Sequence, residues 1–360
     1  MTEVKIGKKT LGGSNPCYII AEFGVNHNGS LERAKEAVIK AAKAGADAIK
    51  FQTYTADELV VKGTPKFWNF EDDADKDQHE AYQAIGGFPL ENYIEIKKLC
   101  DELGIEFMST PFSIKGADFL NSIGMKAFKI ASSDLSYHQF LRHIARFNKP
   151  ILLSTGAATL GEIDEAVRVI QEEGNNQIVI LHCTLCYPTM YPDRNVHYED
   201  ANLNLLKVFK DTFPDCQIGI SDHTQTAFSS IIAYALGASV VEKHYTVDKT
   251  LGFSADHWFS VDPKELKEIV DGCRNIDILR GSSVKKVFEC EKETRKLDKR
   301  SIVSKVNIKK GQKITEDMLT CKRPGTGIFP KLMDVIVGKV AQKDIPEDSI
   351  IQWEDLMVSS

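Results

Sequence analysis

Eight short apolar segments alternate with longer amphipathic ones along most of this chain. Each apolar run leads into a stretch with helical periodicity, and several of these stretches end in Gly or lead into Pro, as helices do. The apolar runs occupy residues 17–24, 48–54, 106–112, 127–133, 151–156, 178–184, 218–224 and 240–246. Eight strand–helix units in strict alternation predict an α/β protein, a (β/α)8 TIM barrel, because a count of eight favours a closed barrel over an open doubly wound sheet.

The sequence changes character after the eighth helical stretch. Residues 282–298 are densely charged and predict a partly helical linker. In residues 299–360 the apolar runs are short and are interrupted by Gly and Pro, which indicates a small, mostly β domain. We therefore divide the chain into a barrel at 1–281, a linker at 282–298 and a C-terminal domain at 299–360. A domain this small has a marginal core of its own, so we expect it to pack on another surface.

Composition argues against several classes of protein. The net charge is −6 and no long basic block occurs, so we expect no nucleic-acid partner. No apolar run reaches the ~18 residues that a membrane-spanning helix needs, and the N-terminus lacks the apolar core of a signal peptide. The eight cysteines are scattered, several of them inside apolar runs, as reduced buried thiols are. We expect a cytoplasmic protein with no membrane partner.

The segment VVEKHYT at residues 240–246 places three ionisable side chains inside a predicted strand. Side chains alternate across a strand, so Glu242 and His244 share one face, as Ser221 and His223 do on the preceding strand. The carboxyl ends of barrel strands surround the active site. We therefore predict that His223 and His244 converge there, where two neutral imidazoles suit a catalytic divalent cation. For each histidine taken singly, a hydrogen-bonded structural role is the alternative.

Three lysines also lie in predicted strands: Lys50, Lys129 and Lys243. Burial of an ammonium group is costly unless an anion meets it. The alternatives are a structural salt bridge, for example between Lys243 and Glu242, and an anionic substrate. Because hydroxyl groups stand at the same strand ends, we favour a cradle for a phosphate or carboxylate. Its candidate members are Lys129, Ser132, Ser154 and Ser221.

The connection after the second apolar run, residues 55–89, is unusually long and carries Trp, Phe and Tyr among acidic residues. Loops of this length in a compact domain are usually functional or carry short helices of their own. We predict that this connection covers the active site.

Motifs along nearly the whole chain resemble, in order, the sialic acid (N-acetylneuraminate) synthase family of nonulosonic acid synthases. In the barrel these motifs are IIAEFGVNHNG, FMSTPF, FKIASSDL, LLSTGAATLGEI, LHCTLCYPT, IGISDHT and EKHYTVDKTLGFSADHW. The tail, with KRSIVSKVNIKKGQ and KRPGTGI, is similar to the family's antifreeze-like (SAF, β-clip) domain. The resemblance implies a TIM barrel, a SAF domain and a head-to-tail homodimer in which the SAF domain of one subunit caps the barrel of the other.

The resemblance also implies a reaction. Phosphoenolpyruvate condenses with N-acetylmannosamine or a related open-chain aldose, and phosphate leaves by C–O cleavage. A divalent metal cofactor, Mn2+ or Mg2+, would be held by His223 and His244. The enzyme would be a transferase that forms a C–C bond, with these two small molecules as its substrates.

The family's site residues fall on matching positions of this sequence. Those that would contact phosphoenolpyruvate are Lys50, Thr110, Lys129, Ser132, Ser154 and Ser221. Those that would contact the sugar are Gln52, Tyr187 and, from the partner subunit, Arg323. Those that would act as catalytic carboxylates are Glu22, Asp256 and Asp134, with the proton transfers falling to Glu22 or Asp256.

Two positions depart from the family pattern. Leu185 stands where sialic acid synthases often have Asn, and Ser133 and Asp134 stand where many members have Glu. A more apolar pocket also fits a legionaminate or pseudaminate synthase, which uses a 2,4-diacetamido-6-deoxy hexose, and this is the main alternative. Two other classes have less support. The lysine–serine cradle argues against a metal-dependent hydrolase, and the basic KRPGTG loop argues against an ice-binding module.

Overall fold

A computed structural model describes residues 3–68, 76–85, 88–186, 198–251 and 256–356 of the chain. The chain forms two compact units, Met1–Gly281 and Ser282–Ser360. In the described residues no helix combines the length and the apolar character needed to cross a membrane.

The first unit is built around eight parallel strands. It opens with an antiparallel hairpin of β1 (Val4–Ile6) and β2 (Lys9–Leu11). The parallel strands are β3 (Tyr18–Gly24), β4 (Ala48–Thr53), β5 (Glu106–Pro111), β6 (Phe128–Ile130), β7 (Ile151–Ser154), β8 (Ile178–Cys183), β9 (Gln217–Asp222) and β10 (Val240–His244). Their hydrogen-bonded order is β5-β4-β3-β10-β9-β8-β7-β6, so the first strand of the set pairs with the last. This nearly closed barrel confirms the predicted TIM-barrel fold, and each predicted apolar run contains one strand.

Helices follow the strands in turn and cover the outside of the barrel. They are α1 (Leu31–Ala44), α2 (Ala56–Leu59), α3 (Gln78–Ile85), α4 (Leu90–Leu103), α5 (Ile114–Ser122), α6 (His138–Ala145), α7 (Leu160–Glu172), α8 (Leu205–Thr212), α9 (Phe228–Ala235) and α10 (Pro263–Arg280). The long connection after β4 therefore carries α2 and α3 before the covering helix α4 begins. Part of it, residues 69–75 and 86–87, lies outside the described residues.

Local sequence signals fix the ends of these helices. The Ser30 hydroxyl accepts a hydrogen bond from the backbone N–H of Arg33 at the start of α1, and Gly45 ends that helix in the left-handed conformation. Helix α10 starts with Pro263 at its first position and a capping box formed by Asp262 and Glu265. Each covering helix is thereby held to a defined length between two strands.

Alternation along the strands separates two apolar layers. Outward-facing side chains such as Ile49, Phe51 and Val241 pack with the helices in the main core. Inward-facing side chains such as Ile20 and Ala48 fill the amino-terminal part of the barrel, where the β1–β2 hairpin closes it. The barrel is therefore solid below, and polar inward-facing positions collect at the carboxyl ends of the strands.

The second unit is a small domain with its own apolar core. Strand β11 (Ser301–Ser304) pairs antiparallel with β12 (Leu319–Lys322), and further isolated bridges link the remaining segments. Its helices are short: α11 (Lys292–Asp298) and α12 (Met333–Ile336). The core consists of Ile302, Ile308, Ile314, Leu319, Ile328, Ile336, Ala341, Ile345, Ile351 and Leu356. The predicted mostly β C-terminal domain is confirmed.

Candidate active site

Two buried lysines mark the carboxyl ends of strands β4 and β6. Lys50 and Lys129 are only 2% and 4% exposed. The Lys50 ammonium donates to the Thr110 hydroxyl at 2.8 Å and forms an ion pair with Glu22 on the neighbouring strand. Two ammonium groups at this depth require anions, which the barrel supplies in part.

Glu242 is the carboxylate that lies between these lysines. Its Oε1 lies 3.3 Å from the Lys129 Nζ and accepts a hydrogen bond of 2.9 Å from Ser221, while its Oε2 lies 3.8 Å from the Lys50 Nζ. Burial by itself would raise the pKa of Glu242, but Lys129 and Lys50 outweigh it and hold the pKa at about 2. Burial lowers the pKa of Lys129, and the attraction of Glu242 opposes that effect. We name Lys50, Lys129 and Glu242 the anion seat.

Hydroxyl groups complete the anion seat on its β6–β7 side. The Ser154 hydroxyl is buried and has no hydrogen-bond partner among the described residues. The Ser132 hydroxyl accepts a hydrogen bond of 2.9 Å from the backbone N–H of Gly156. A Cβ at Gly156 would lie 2.6 Å from the Cβ of Leu185 and 2.9 Å from the Ser132 Oγ. This close approach requires glycine, and it places Leu185 at the mouth beside the seat.

The structure brings His223 and His244 together above the ends of β9 and β10. Their ring centroids are 4.9 Å apart, and the Phe259 ring lies 4.7 Å from that of His244. The Nδ1 of His223 lies 3.6 Å from the Cys183 sulfur, and the Nδ1 of His244 lies 3.4 Å from a carboxylate oxygen of Asp256. Burial, aided by neighbouring His244, lowers the pKa of His223 to about 3. A neutral imidazole of this kind is the form that binds metal ions.

The donor set therefore fits a divalent cation held by two imidazole groups, with other positions left to substrate or water. Within the described residues no group of three or more His, Cys, Asp or Glu side chains is arranged to hold a metal ion. The protein would thus supply His223 and His244 and an open coordination sphere, as catalytic metal sites do.

A second polar group surrounds Gly24, where strand β3 ends. The Gln52 amide donates to Glu22 at 2.9 Å. A Cβ at Gly24 would lie 2.9 Å from the Glu22 Oε1, 3.0 Å from the Gln52 Nε2 and 3.5 Å from the Asp256 Oδ2, and the residue has φ +51°. Burial raises the pKa of Glu22, although Lys50 acts in the opposite direction. Glu22, Gln52 and Asp256, which we name the polar cradle, therefore converge on one point beside the histidines.

Asp134 lies in the turn Ser132–Asp134 that follows β6. Burial raises its pKa to about 6, in spite of the opposing effect of Lys129. Its Oδ2 is buried and makes no hydrogen bond with any described residue. A carboxyl group near neutrality next to the anion seat is suited to proton transfer.

The interpretation of Lys243 as part of the barrel mouth was wrong. Strand alternation turns it outward, where its ammonium lies 3.0 Å from Asp222 and 3.2 Å from the Thr224 hydroxyl. The Asp222 carboxylate also accepts hydrogen bonds from Ser229 and Ser230 at the start of helix α9. The suggested Lys243–Glu242 salt bridge is likewise wrong, because these two residues lie on opposite faces of β10.

Two predicted site residues are not in the barrel mouth that the structure describes. Tyr187 lies outside the described residues. Arg323 belongs to the second unit, where its exposed guanidinium pairs with Asp298 at 2.7 Å.

Sequence reasoning missed the position of Glu242 in the anion seat and of Cys183 against His223. The alternation that placed Glu242 and His244 on one face was a sufficient signal for Glu242. For Cys183 the same signal existed, since it shares an inward face with Leu181 in β8.

Comparisons with known proteins identify the class to which this fold and site belong. Residues 37–285 match the model of the NeuB family, and residues 299–357 match the SAF domain. The chain belongs to the NeuB family and carries a C-terminal SAF domain. It is therefore a member of the phosphoenolpyruvate-dependent nonulosonic acid synthases.

Individual relatives cover almost the entire chain. The N,N'-diacetyllegionaminic acid synthase of Legionella pneumophila is 38% identical, with 97% of each chain covered. The human N-acetylneuraminate-9-phosphate synthase is 32% identical, over 96% of this chain and 94% of the relative. Among solved structures, the spore coat polysaccharide biosynthesis protein SpsE of Bacillus subtilis has 35% identity and a TM-score of 0.66, with 100% of both chains covered.

Proposed function

We propose that this chain condenses phosphoenolpyruvate with an N-acylated, mannosamine-type aldose and releases inorganic phosphate. The observation that carries the proposal is the anion seat lying next to the His223–His244 pair. A dianionic substrate and an aldehyde-polarising site are thereby placed side by side, which is what joining an enol phosphate to an aldehyde requires.

The anion seat and its hydroxyl groups support the binding of phosphoenolpyruvate. Lys50 and Lys129 offer ammonium donors, and Ser154 offers a buried hydroxyl with no partner among the described residues. Charge-assisted hydrogen bonds of this kind are the strong ones for phosphate and carboxylate groups. The full proposed set is Lys50, Thr110, Lys129, Ser132, Ser154 and Ser221.

The polar cradle supports the binding of the sugar. Gln52 would hold a hydroxyl group of the open-chain sugar, and Glu22 and Asp256 lie within reach of the same point. Tyr187 and, in a homodimer, the partner subunit's Arg323 are the further proposed sugar contacts. A divalent cation, Mn2+ or Mg2+, held by His223 and His244 would supply Lewis-acid polarisation of the aldehyde.

The protein's own groups would then handle the bonds and protons. The enol electron pair forms a bond between C3 of phosphoenolpyruvate and the aldehyde carbon, whose oxygen takes a proton from Glu22. Water adds to the electron-poor C2, giving its proton to Asp134, and the bond from C2 to the phosphate oxygen breaks. The raised pKa values of Glu22 and Asp134 suit these two roles, since burial is their main cause.

For the sugar itself, we favour a 2,4-diacetamido-6-deoxy hexose over N-acetylmannosamine. Leu185 is an apolar side chain at the mouth, 40% exposed, and it offers no hydrogen bond to a sugar hydroxyl. The relative that makes N,N'-diacetyllegionaminic acid is also more similar to this chain than the human N-acetylneuraminate-9-phosphate synthase is, at 38% against 32% identity.

The test is a phosphate-release assay with phosphoenolpyruvate, Mn2+ and each of the two sugars, and a control without sugar. We expect sugar-dependent phosphate release, with the larger kcat/KM for the diacetamido sugar. Ser154→Ala should raise the KM for phosphoenolpyruvate about tenfold, whereas Ser122→Ala, an exposed serine on α5, should leave it unchanged. Absence of sugar-dependent release with both sugars would contradict the proposal.

A further inference from the structure

An aromatic group lies just above the polar cradle, at the start of the long connection after β4. We name its members, Tyr54, Trp68, Tyr82 and Phe112, the aromatic rim. The Tyr54 ring packs edge-on against Tyr82 at 5.6 Å and against Phe112 at 5.9 Å, and Trp68 packs on Tyr82 at 5.7 Å. These contacts form one continuous wall.

Strand alternation places this wall over the site. Tyr54 follows Lys50 and Gln52 at steps of two residues, so it continues the inward face of β4 past the end of the strand. Phe112 continues the inward face of β5 in the same way after Thr110. The chain is held at this point by the Tyr93 hydroxyl, which donates to the Gln52 carbonyl at 2.6 Å. The inward face therefore changes from cation to amide to aromatic ring as it rises.

The Tyr54 hydroxyl is a buried polar group without a partner. Tyr54 is 8% exposed, and its hydroxyl makes no hydrogen bond to any residue that the structure describes. Tyr18 and Tyr245 share this property, but Tyr18 lies in the apolar amino-terminal part of the barrel and Tyr245 in the outer core. Tyr54 is the member of this trio at the active-site end of an inward face. An unpaired hydroxyl there is expected to be satisfied by a ligand.

Electrostatic coupling connects the aromatic rim with the polar cradle. Burial and then the Asp256 carboxylate raise the pKa of Tyr82 to about 12. The pKa of Tyr54 is raised mainly by burial, with further contributions from Tyr82, Tyr93 and Asp256. Asp256 thus lies near both the rim and the cradle at Gly24.

We propose that the aromatic rim is the subsite that selects the sugar by its apolar substituents. A methyl group of the sugar, on C6 or on an acyl group, packs on the rings of Tyr82 and Phe112, and the Tyr54 hydroxyl hydrogen-bonds an oxygen of the same sugar. This inference rests on the proposed function and adds to it a basis for choosing between sugars. A wall of this composition favours a 6-deoxy sugar, since a C6 hydroxyl would lose its water contacts against the rings.

The test compares three variants in the phosphate-release assay with both sugars. Tyr54→Phe keeps the ring and removes the hydroxyl, and we expect the KM for the sugar to rise about tenfold with the KM for phosphoenolpyruvate unchanged. Tyr82→Leu should reduce the ratio of kcat/KM between the diacetamido sugar and N-acetylmannosamine about tenfold. Tyr18→Phe is the matched control, because it removes a buried unpaired hydroxyl from the other end of the barrel, and it should change neither KM.

Each outcome is informative. If wild type turns over sugar but Tyr54→Phe and Tyr82→Leu retain its sugar KM and its selectivity, the inference is overturned while the proposed function stands. If wild type releases no sugar-dependent phosphate, both are overturned. Circular dichroism checks folding, and calorimetric titration with the reduced, open-chain sugar measures binding directly, so a slow variant still gives a result.

Discussion

Replacing Glu242 by Gln is the sharpest test of the anion seat. The substitution keeps the shape of the side chain and removes the negative charge that lies 3.3 Å from Lys129 and 3.8 Å from Lys50. The folded protein holds the pKa of Glu242 at about 2 against an ordinary 4.5, which corresponds to ~3 kcal/mol at ~1.4 kcal/mol per tenfold change. Breaking a buried ion pair from one side independently gives ~3–5 kcal/mol.

The sign of the pH dependence follows from the same shift. Because folding lowers the pKa of Glu242, its contribution to the free energy of unfolding is fully present above pH 4.5 and is lost as the pH falls towards about 2. Wild type should therefore lose more stability in this acid range than Glu242→Gln does, so the two unfolding curves should approach each other.

The assay is urea unfolding followed by far-ultraviolet circular dichroism, which reports mainly on the helical barrel. At pH 7 we expect Glu242→Gln to reduce the free energy of unfolding by ~3 kcal/mol, and Glu102→Gln, an exposed carboxyl on α4, to change it by less than ~0.5 kcal/mol. Saturating phosphoenolpyruvate should stabilise Glu242→Gln more than wild type, by at least ~1 kcal/mol, because charges ~4 Å apart interact by that much even in bulk water.

A Glu242→Gln protein that is as stable as wild type would refute the reasoning, since the lysines would then not depend on this carboxylate. Equal stabilisation of both proteins by phosphoenolpyruvate would show that the ligand's charge does not occupy the region between Lys50 and Lys129.

Three further predictions concern other parts of the molecule. Lys243→Met should lower the free energy of unfolding by ~3 kcal/mol and leave the KM for phosphoenolpyruvate unchanged, because Lys243 pairs with Asp222 outside the barrel mouth; a raised KM in steady-state assays would contradict this placement. His223→Ala should abolish Mn2+-dependent turnover and weaken Mn2+ binding in calorimetric titration while circular dichroism stays unchanged; full metal-dependent activity would remove the metal assignment. Arg323→Ala should raise the KM for the sugar about tenfold and leave that for phosphoenolpyruvate unchanged, with urea unfolding within ~0.5 kcal/mol of wild type because its Asp298 pair is exposed; unchanged sugar kinetics would exclude it from the site.

The fold was predictable because a closed parallel barrel leaves a strong trace in the sequence. Its strands are covered on the outside by helices and packed on the inside, so they read as continuous apolar runs such as the one in β8 (Ile178–Cys183). The helical stretches between them carry their own caps, as Ser30 and Asp262 do. Neither signal depends on contacts distant in sequence.

The site was predictable in its faces and less so in its partners. Alternation alone grouped Lys50 with Gln52 and His223 with His244, and the structure brings each pair to the mouth. Which residue of a neighbouring strand meets a given side chain depends on strand register, which no local pattern reports. For that reason Lys243 was assigned the wrong partner.

The register between β9 and β10 explains why VVEKHYT carries three consecutive ionisable residues. Ser221 lies opposite Glu242, and Asp222 lies opposite Lys243. The inner pair supplies the carboxylate of the anion seat, and the outer pair is a buried ion pair that forms only in this alignment. A slip of one residue would turn Glu242 towards the helices and separate Lys243 from Asp222. The outer pair thus specifies the alignment on which the inner face and His244 depend, which is the role best supported for buried ion pairs.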